Sequence, residues 1–559
     1  MNTEFRLVPS GDCAITIRFH EEISNEINDL VRAIYQAMLA ISMEGIIEVT
    51  PTYNTLMITY NPLKISYKTL VDRLNTLMET VDKFEIPISK NVDIPTLYGG
   101  EHGPDLEYVA HLNHLSTEEV INIHTSTVYR IFMLGFTPGF PYLGGMDERI
   151  ASPRRTEPRL KIPAGAVGIA GVQTGIYPIE SPGGWQIIGQ TPLELYNPSR
   201  KEPILLKAGD SLRFVPISQE TFNQIKAENV LENVLENDLS FNSDYPFEDK
   251  HITIHKPGLL TLVEDMGRYG YQAFGVPVSG VMDTFAAQMA NLLVSNTREE
   301  AVLEITLSGP EILFNFNGYI AITGGDLVPM LNQQSIQMWE TLCVQKGDIL
   351  SFKGLKAGTR SYLAIAGGIQ VKTVMNSKST YTKAHLGGHN GRALIKGDCL
   401  KVGDCTKKII RKMIAPMMIP VYKNVIKIRV IMGPQLEHFN ENGIHTFLSS
   451  VYHLTIDCDR MGYRLEGPTI EHSGGADILS DGISFGAIQV PGNGKPIIMM
   501  ADRQTTGGYA KIANVISADL PKLAQAKSGD QITFHQVSVE QAQEIYKTYE
   551  DYFLEIDND

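Results

Sequence analysis

Apolar positions in the first eighty residues follow two periods. In CAITIRF (13–19) they alternate, as on a half-buried strand, and TLMITYNP (55–62) reads the same way. Between these, Ile23, Ile27, Leu30, Val31 and Ile34 recur at helical spacing. After them, Leu70, Leu74, Leu77, Met78 and Val81 do the same. The order strand, helix, strand, helix, closing on FEIPIS (84–89), predicts a small ferredoxin-like α/β domain over residues 1–88. Beyond residue 130 the pattern changes. Gly and Pro become dense, apolar runs shorten and helical spacing is rare. The acidic stretch AENVLENVLENDLSFNSDYPFEDK (227–250) reads as a linker that begins as a short helix. An alternating strand, HITIHKPG, opens at 251.

The strand-rich part repeats itself. KAGDSLRF (207–214), QKGDILSF (345–352), IKGDCLKV (395–402) and KSGDQITF (527–534) each place Gly-Asp before an alternating run. Gly-Asp suits a tight turn, so a recurring hairpin is expected. A longer echo pairs GAVGIAG (165–171) with GAIQVPG (486–492). Each is followed by Pro-Ile, then by SPGGW (181–185) or TTGGY (505–509), then by a Gly-Asp unit. Such repetition fits several related β-barrels.

Composition narrows the function. The 559 residues exceed one domain, and 48 Lys and Arg against 63 Asp and Glu leave a net charge of −15. An acidic chain is a poor partner for nucleic acid or an anionic membrane. Its five cysteines are scattered without a CxxC pair, so neither a disulfide framework nor a zinc site is indicated. MNTEFRLVPSGD has neither the basic nor the apolar region of a signal peptide, and no apolar run reaches the ~18 residues of a membrane span. A cytoplasmic protein is expected.

Familiar catalytic signatures are missing. PGNGKPI (491–497) has a lysine but puts Pro where a phosphate-binding loop needs a hydroxyl, and no G-x-S-x-G elbow occurs. His111, His114, His124, His385 and His389 lack a completing carboxylate or thiol, so no metal site is expected. Four glycine-rich polar stretches remain. LGFTPGFPYLGG (134–145) runs on to the cations Arg154, Arg155, Arg159 and Lys161. VQTGIYPIESPGGW (172–185) carries Gln173, Thr174, Tyr177 and Ser181. VEDMGRYGYQAFGVPVSGVMD (263–283) carries Asp265, Arg268, Gln272, Ser279 and Asp283 among glycines. Finally, ADRQTTGGY (501–509) carries Asp502, Arg503, Gln504, Thr505 and Thr506, and is preceded by Arg460 in DCDRMGYRLEGP.

Turn chemistry accounts for any one of these stretches. Together they supply Arg for a carboxylate or phosphate, and Gln and hydroxyls for an amide. Asp502, Arg503, Gln504 and Thr505, with Gln272, Ser279 and Asp283, are the candidate catalytic groups. Arg154, Lys161, Gln173, Thr174, Tyr177, Ser181, Arg268, Arg460 and Thr506 are candidate binding groups. The end of the apolar run Ile497–Met500 is expected to hold 502–505 toward a ligand pocket.

The long motifs MLGFTPGFPYLGGMDERIASPRR and IPAGAVGIAGVQTGIYPIESPGGWQIIGQTPLELYNP resemble the B subunit of bacterial ATP-dependent 5-oxoprolinase. That family also covers KipI and the allophanate-hydrolase subunit 1 domain. PGLLTLVEDMGRYGYQAFGVPVSGVMD, STYTKAHLGGHNGRALIKGD, DRMGYRLEGP and GAIQVPGNGKPIIMMADRQTTGGYAKIANVI resemble the C subunit, related to KipA and the subunit 2 domain. The resemblance adds Tyr381 and Arg392 to the candidate ligand contacts. It implies a mainly β chain in which the small α/β domain (1–88) precedes three cyclophilin-like barrels, at 89–226, 251–420 and 421–559. It also implies opening of the lactam of 5-oxo-L-proline to L-glutamate with ATP, taken with magnesium. A separate A subunit of the LamB/YcsF family is the implied partner, and homo-oligomerisation is compatible. The same domains occur in biotin-dependent urea carboxylase, whose carboxyltransferase is the rival reading. No biotin attachment site is present here, since RKMIAPMM (411–418) lacks the Met before Lys412. A KipI/KipA-type regulator of a sensor histidine kinase is the third reading.

Overall fold

The computed structural model describes residues 4–20, 22–80, 89–200, 202–237, 250–405 and 407–558. Val81 and most of the expected FEIPIS strand lie outside them. The N-terminal unit is a four-stranded antiparallel sheet in the order Arg6–Pro9, Ala14–Arg18, Thr55–Tyr60, Ile46–Pro51. Helices Asn25–Ile41 and Tyr67–Met78 start at Ser24 and Ser66, whose hydroxyls accept from the Ile27 and Thr69 amides. Their apolar faces close a core with Ile15, Ile17, Leu56 and Ile58. The helices match the periodicity. The ferredoxin-like order is not confirmed: among the described residues the chain runs strand, strand, helix, strand, strand, helix, and the N-terminal strand Arg6–Pro9 takes one sheet edge. That strand is half exposed, so it shows little alternation to read.

Two strand-rich units share one plan. In the first, the sheet order is Gln173–Ile176, Ala166–Ala170, Gln186–Gln190, Asn91–Tyr98, Ser211–Pro216, Tyr129–Leu134, Pro141–Gly144, and its two edge strands lie side by side. The last unit is a closed barrel with the corresponding order Ile497–Met499, Ala487–Gln489, Lys511–Val515, Val425–Met432, Gln531–Gln536, Tyr452–Cys458, Gly462–Glu466. Even the register agrees. Leu212 lies parallel to Val92 and opposite Tyr129, and Ile532 lies parallel to Ile426 and opposite Tyr452. Each unit carries a two-stranded flap, Arg159–Ile162 with Ser181–Gly183 in one and Asp477–Gly482 with Thr506–Tyr509 in the other. The repeat read from SPGGW and TTGGY is therefore a repeat of structure. The Pro-Ile match is not, because Pro178 follows its strand whereas Pro496 precedes one.

Residues 251–404 differ from both. A seven-stranded sheet and a five-stranded sheet enclose a core that includes Ile252, Val263, Phe314 and Leu363. Helix Thr284–Leu293 covers the outside and is buried along its length. Three like barrels were expected. Among the described residues only the last is closed, the first is a curled sheet, and the middle one is built of two sheets.

The four Gly-Asp units make one kind of turn. Gly209, Gly347, Gly397 and Gly529 have φ of 89°, 98°, 93° and 88°, which only glycine adopts without strain. Each following Asp carboxylate accepts the backbone N–H three residues back, at 3.3, 2.7, 2.8 and 3.0 Å. These turns do not make hairpins. The strand each one feeds pairs with segments far earlier in the chain, as Leu400 does with Ile252. The helix expected at the start of the 227–250 linker is longer than that reading, running Gln219–Asn237. The terminal helix Val539–Asn558 leaves its own barrel. Gln543 donates to the Asp12 carbonyl (2.9 Å) and the Tyr60 hydroxyl (2.7 Å), and the Phe553 ring lies under the Arg298 guanidinium at 4.2 Å. No helix among the described residues is long and apolar enough to cross a membrane.

The two halves are joined by buried polar contacts. Glu48 of the small unit accepts from the backbone and the side-chain amide of Gln272, both at 2.7 Å. Thr55 donates to Asp481 at 2.6 Å, and Asp481 also accepts from Gln435 (2.8 Å) and Lys511 (3.2 Å). Burial opposes ionisation of Asp481, but Lys511, Thr55 and Gln435 outweigh it and hold the carboxyl below its usual range. A depressed carboxyl stabilises the fold above its unfolded pKa, and the contribution is lost as pH falls through the folded value. Asp481→Ala leaves Lys511 buried without its charge partner and is expected to cost about 3–5 kcal/mol. Lys511→Met in the same background is expected to recover part of that cost. Urea midpoints of the single and double variants check both, and an unchanged midpoint for Asp481→Ala would remove the pair from the account of the junction.

Candidate functional site

Arg460 stands in the loop after strand Tyr452–Cys458, where Asp459 accepts the Met461 and Gly462 amides and tightens the turn. Its guanidinium is buried. Nε and Nη2 reach the Asp502 carboxylate at 3.0 and 3.1 Å, Nη1 donates to Glu304, and Nη2 donates to the Gly280 carbonyl at 2.6 Å. Glu264 lies 3.5 Å from Nη2. Burial opposes the charge on Arg460, but Asp502, Glu264 and Glu304 outweigh it and raise its pKa. Glu304 is further held by the Tyr362 hydroxyl (2.9 Å) and the Met282 amide (2.7 Å), with Arg360 at 3.8 Å. Glu264 has no hydrogen bond to either oxygen. Burial pushes its carboxyl well up while Arg460 pulls the other way.

This hub corrects several expectations. Asp502 is buried and anchors the loop to Arg460. Arg503 points inward too, donating to the Ile483 carbonyl at 3.0 Å and lying 5.5 Å from the Phe485 ring, and burial pushes it down to about 10. Thr505 is buried with its hydroxyl unpartnered. Of the four, Gln504 alone is partly exposed and makes no side-chain hydrogen bond among the described residues. Gln272 is consumed by Glu48. Asp283 caps helix Thr284–Leu293 through the Ala286 amide and accepts from Gln525, and burial pushes it up to about 6. Arg392 makes a two-point pair with Asp398 of a Gly-Asp turn. Thr174 hydrogen-bonds with His124 and the Gly168 carbonyl, and Lys161 is exposed and paired with Glu180. Tyr381 is buried in the core of the first strand-rich unit. Arg268 donates to the Val374 and Ser379 carbonyls and keeps Nη1 unpartnered. Ser279 has φ 55° and an unpartnered hydroxyl.

A second polar centre lies where the halves meet. The flap of the closed barrel lies against the mouth of the first. Thr506 Oγ1 accepts from the Phe136 amide at 3.3 Å, and a side chain at Gly135 would drive its Cβ to 2.1 Å from that same oxygen. Burial raises the Tyr142 phenol, while hydrogen bonds from Thr506 and Ser480 and the nearby Arg154 charge pull it back. Gln173 Nε2 donates to the Tyr53 hydroxyl at 3.3 Å, and the Tyr53 and Tyr142 rings are 5.9 Å apart. Phe140, Tyr177 and Trp185 pack edge to face behind them, and burial pushes Tyr177 up to about 12. Arg154 is exposed and has no ion pair among the described residues. The structure thus gathers Arg154, Gln173, Tyr177 and Thr506, while Ser181 stands on the other flap with its hydroxyl unpartnered. Sequence reasoning missed Tyr142, Tyr53 and Ser480. Tyr142 belongs to one of the glycine-rich stretches, but Tyr53 comes from the small unit and carried no signal. A free cation, an amide, phenols and an aromatic wall can hold a small ring that bears a carboxylate and an amide.

Comparison with known proteins agrees with this two-part construction. The family described as carboxyltransferase domain, subdomain C and D, matches residues 5–206, and that for subdomain A and B matches residues 274–536. The chain is 45% identical over 239 residues to the B subunit of 5-oxoprolinase from Bacillus subtilis (strain 168), which covers 41% of this chain and 99% of that protein. It is 36% identical over 305 residues to the C subunit of 5-oxoprolinase from Escherichia coli (strain K12), which covers 55% of this chain and 97% of that protein. A crystal structure of the protein TTHA0988 superimposes with a TM-score of 0.80 at 30% identity, covering 93% of this chain and 99% of the other. The chain belongs to the carboxyltransferase-domain family, as a fusion of one half of the 5-oxoprolinase B type with one half of the C type.

Proposed function

We propose that the chain is the fused B and C component of an ATP-dependent 5-oxoprolinase, which opens the lactam of 5-oxo-L-proline to L-glutamate. The observation that supports this most is the seam, where Arg154 has no ion pair and stands near Tyr142 and Tyr177, with Gln173 and Thr506 beside them. Arg154 is the group for the substrate carboxylate. Gln173, Tyr142 and the unbonded Gln504 are the groups for the lactam C=O and N–H. The reaction activates a stable amide. Its oxygen attacks the γ-phosphorus of ATP, the bond to ADP breaks, and water adds to the activated carbon. The C–N bond then breaks as nitrogen takes a proton, and a second water cleaves the acyl phosphate to glutamate and phosphate. ATP arrives with magnesium, and the site is completed by a separate A subunit. The match of both halves to carboxyltransferase subdomains favours a second reading, carboxyl transfer from carboxybiotin to an amide.

Release of phosphate and glutamate from ATP and 5-oxoproline separates these readings. Turnover is expected in the presence of the A subunit and not with this chain alone. Full conversion by the chain alone would refute the need for a partner. Carboxylation of an amide without lactam opening would overturn the 5-oxoprolinase reading.

Arg154→Gln removes a charge-assisted contact to the substrate carboxylate. KM for 5-oxoproline is expected to rise by about 10- to 100-fold, the equivalent of about 1.5–3 kcal/mol, with kcat little changed. An unchanged KM would move the carboxylate elsewhere.

Gln504→Ala is expected to cost on the order of 2–4 kcal/mol in transition-state stabilisation with an almost unchanged melting temperature. Asp502→Ala is expected to do the reverse, lowering stability by about 3–5 kcal/mol because Arg460 loses a partner. Thermal melts and kcat/KM measured on both variants test the division between presenting and anchoring residues. The division fails if Gln504→Ala melts early and turns over normally.

A further inference from the structure

A cavity of about 650 Å³ lies between the first strand-rich unit and residues 384–385 of the second half. It is far roomier than a five-membered lactam needs and falls within the range of sites for larger ligands. Its walls combine two chemistries. Pro178 and Pro192 give flat apolar faces suited to a planar ring, the Phe222 ring is buried in the wall, and His385 reaches in from the other half. The charge balance favours an anion. The two acids that line the cavity are already neutralised, Glu180 by Lys161 at 2.8 Å and Glu194 by Arg200 at 3.3 Å. Lys226 has no acidic partner among the described residues, and its Nζ lies 6.0 Å from the centre of the Phe222 ring. Tyr196 adds a buried hydroxyl with no hydrogen-bond partner. Arg268, whose Nη1 is also unpartnered, is close enough to act on that phenol electrostatically. A buried donor left unsatisfied is costly unless something arrives to satisfy it.

We propose that this cavity is the adenine-nucleotide subsite of the reaction, with the prolines beside the base and Lys226 and Tyr196 toward the phosphates. The assignment rests on the ATP-dependent reading above, in which the γ-phosphate has to come within reach of the lactam oxygen. ADP binding to the full chain, measured by titration calorimetry, tests it. Lys226 is exposed, and the Tyr196 hydroxyl has no partner to lose, so neither Lys226→Glu nor Tyr196→Phe should change the melting temperature. Each is expected to weaken ADP binding at least tenfold, and Lys226→Glu should weaken adenosine binding much less. If both variants bind ADP as tightly as the parent while the complex with the A subunit still turns over ATP, the cavity assignment falls and the proposed function stands. If 5-oxoproline elicits no phosphate release from ATP in that complex, yet Lys226→Glu abolishes ADP binding, the nucleotide site stands and the 5-oxoprolinase reading falls.

Discussion

Arg460 and the three acids around it hold the second half together. The guanidinium comes from the closed barrel, Glu264 and Glu304 from the five-stranded sheet of the neighbouring unit, and Asp502 from the loop that leads to the flap. A buried charge is tolerated only when paired and hydrogen-bonded, so these elements can approach only in a geometry that satisfies the guanidinium on every side. Fixing Asp502 also fixes the residues that come after it in the chain. Thr506 then lies within reach of the Phe136 amide on the other half. The hub is therefore upstream of the seam without touching it, and it converts a packing requirement into the placement of a loop.

What the sequence makes legible is what is local. The helices of the small unit and the four Gly-Asp turns follow from spacing within a dozen residues, and each is found where the pattern puts it. The structural repeat of the first and last units is legible as well, because glycine positions in SPGGW and TTGGY mark the flaps. Edge strand Arg6–Pro9 is not, since half exposure blurs its alternation. The helix Gln219–Asn237 is legible only in part: the sequence shows a short helix at the start of an acidic linker, not its full length.

The site is less legible, for a physical reason. Glu264 and Glu304 are charged residues in strands, and charge normally predicts a solvent-facing position. Here both are buried because Arg460, far later in the sequence, meets them, and no short window on the chain contains all the partners. The reverse error has the same origin. Gln272, Arg392 and Asp283 look available in isolation, yet each is satisfied by a distant partner or by a turn. Residues left without partners are a better guide than residues of the right type, and the fold alone reveals which those are.

The duplicated plan also explains why the two flaps, alike in topology, play different parts among the described residues. Two units of the same topology carry equivalent flaps, but the environment of each differs. The Asp477–Gly482 and Thr506–Tyr509 flap is covered: Gly482 packs at Met57, Asp481 is tied to Thr55 and Lys511, and Thr506 meets Phe136. Its counterpart, Arg159–Ile162 with Ser181–Gly183, leaves Leu160 94% exposed. The asymmetry traces to the small N-terminal unit, which precedes the first strand-rich unit and supplies Tyr53, Thr55 and Met57 to the junction. A symmetric pair of such units would present two equivalent mouths. The added unit covers one flap and leaves its counterpart exposed at Leu160, so the polar seam around Thr506 forms from residues of both halves, and linking those halves in one chain fixes their ratio at one to one.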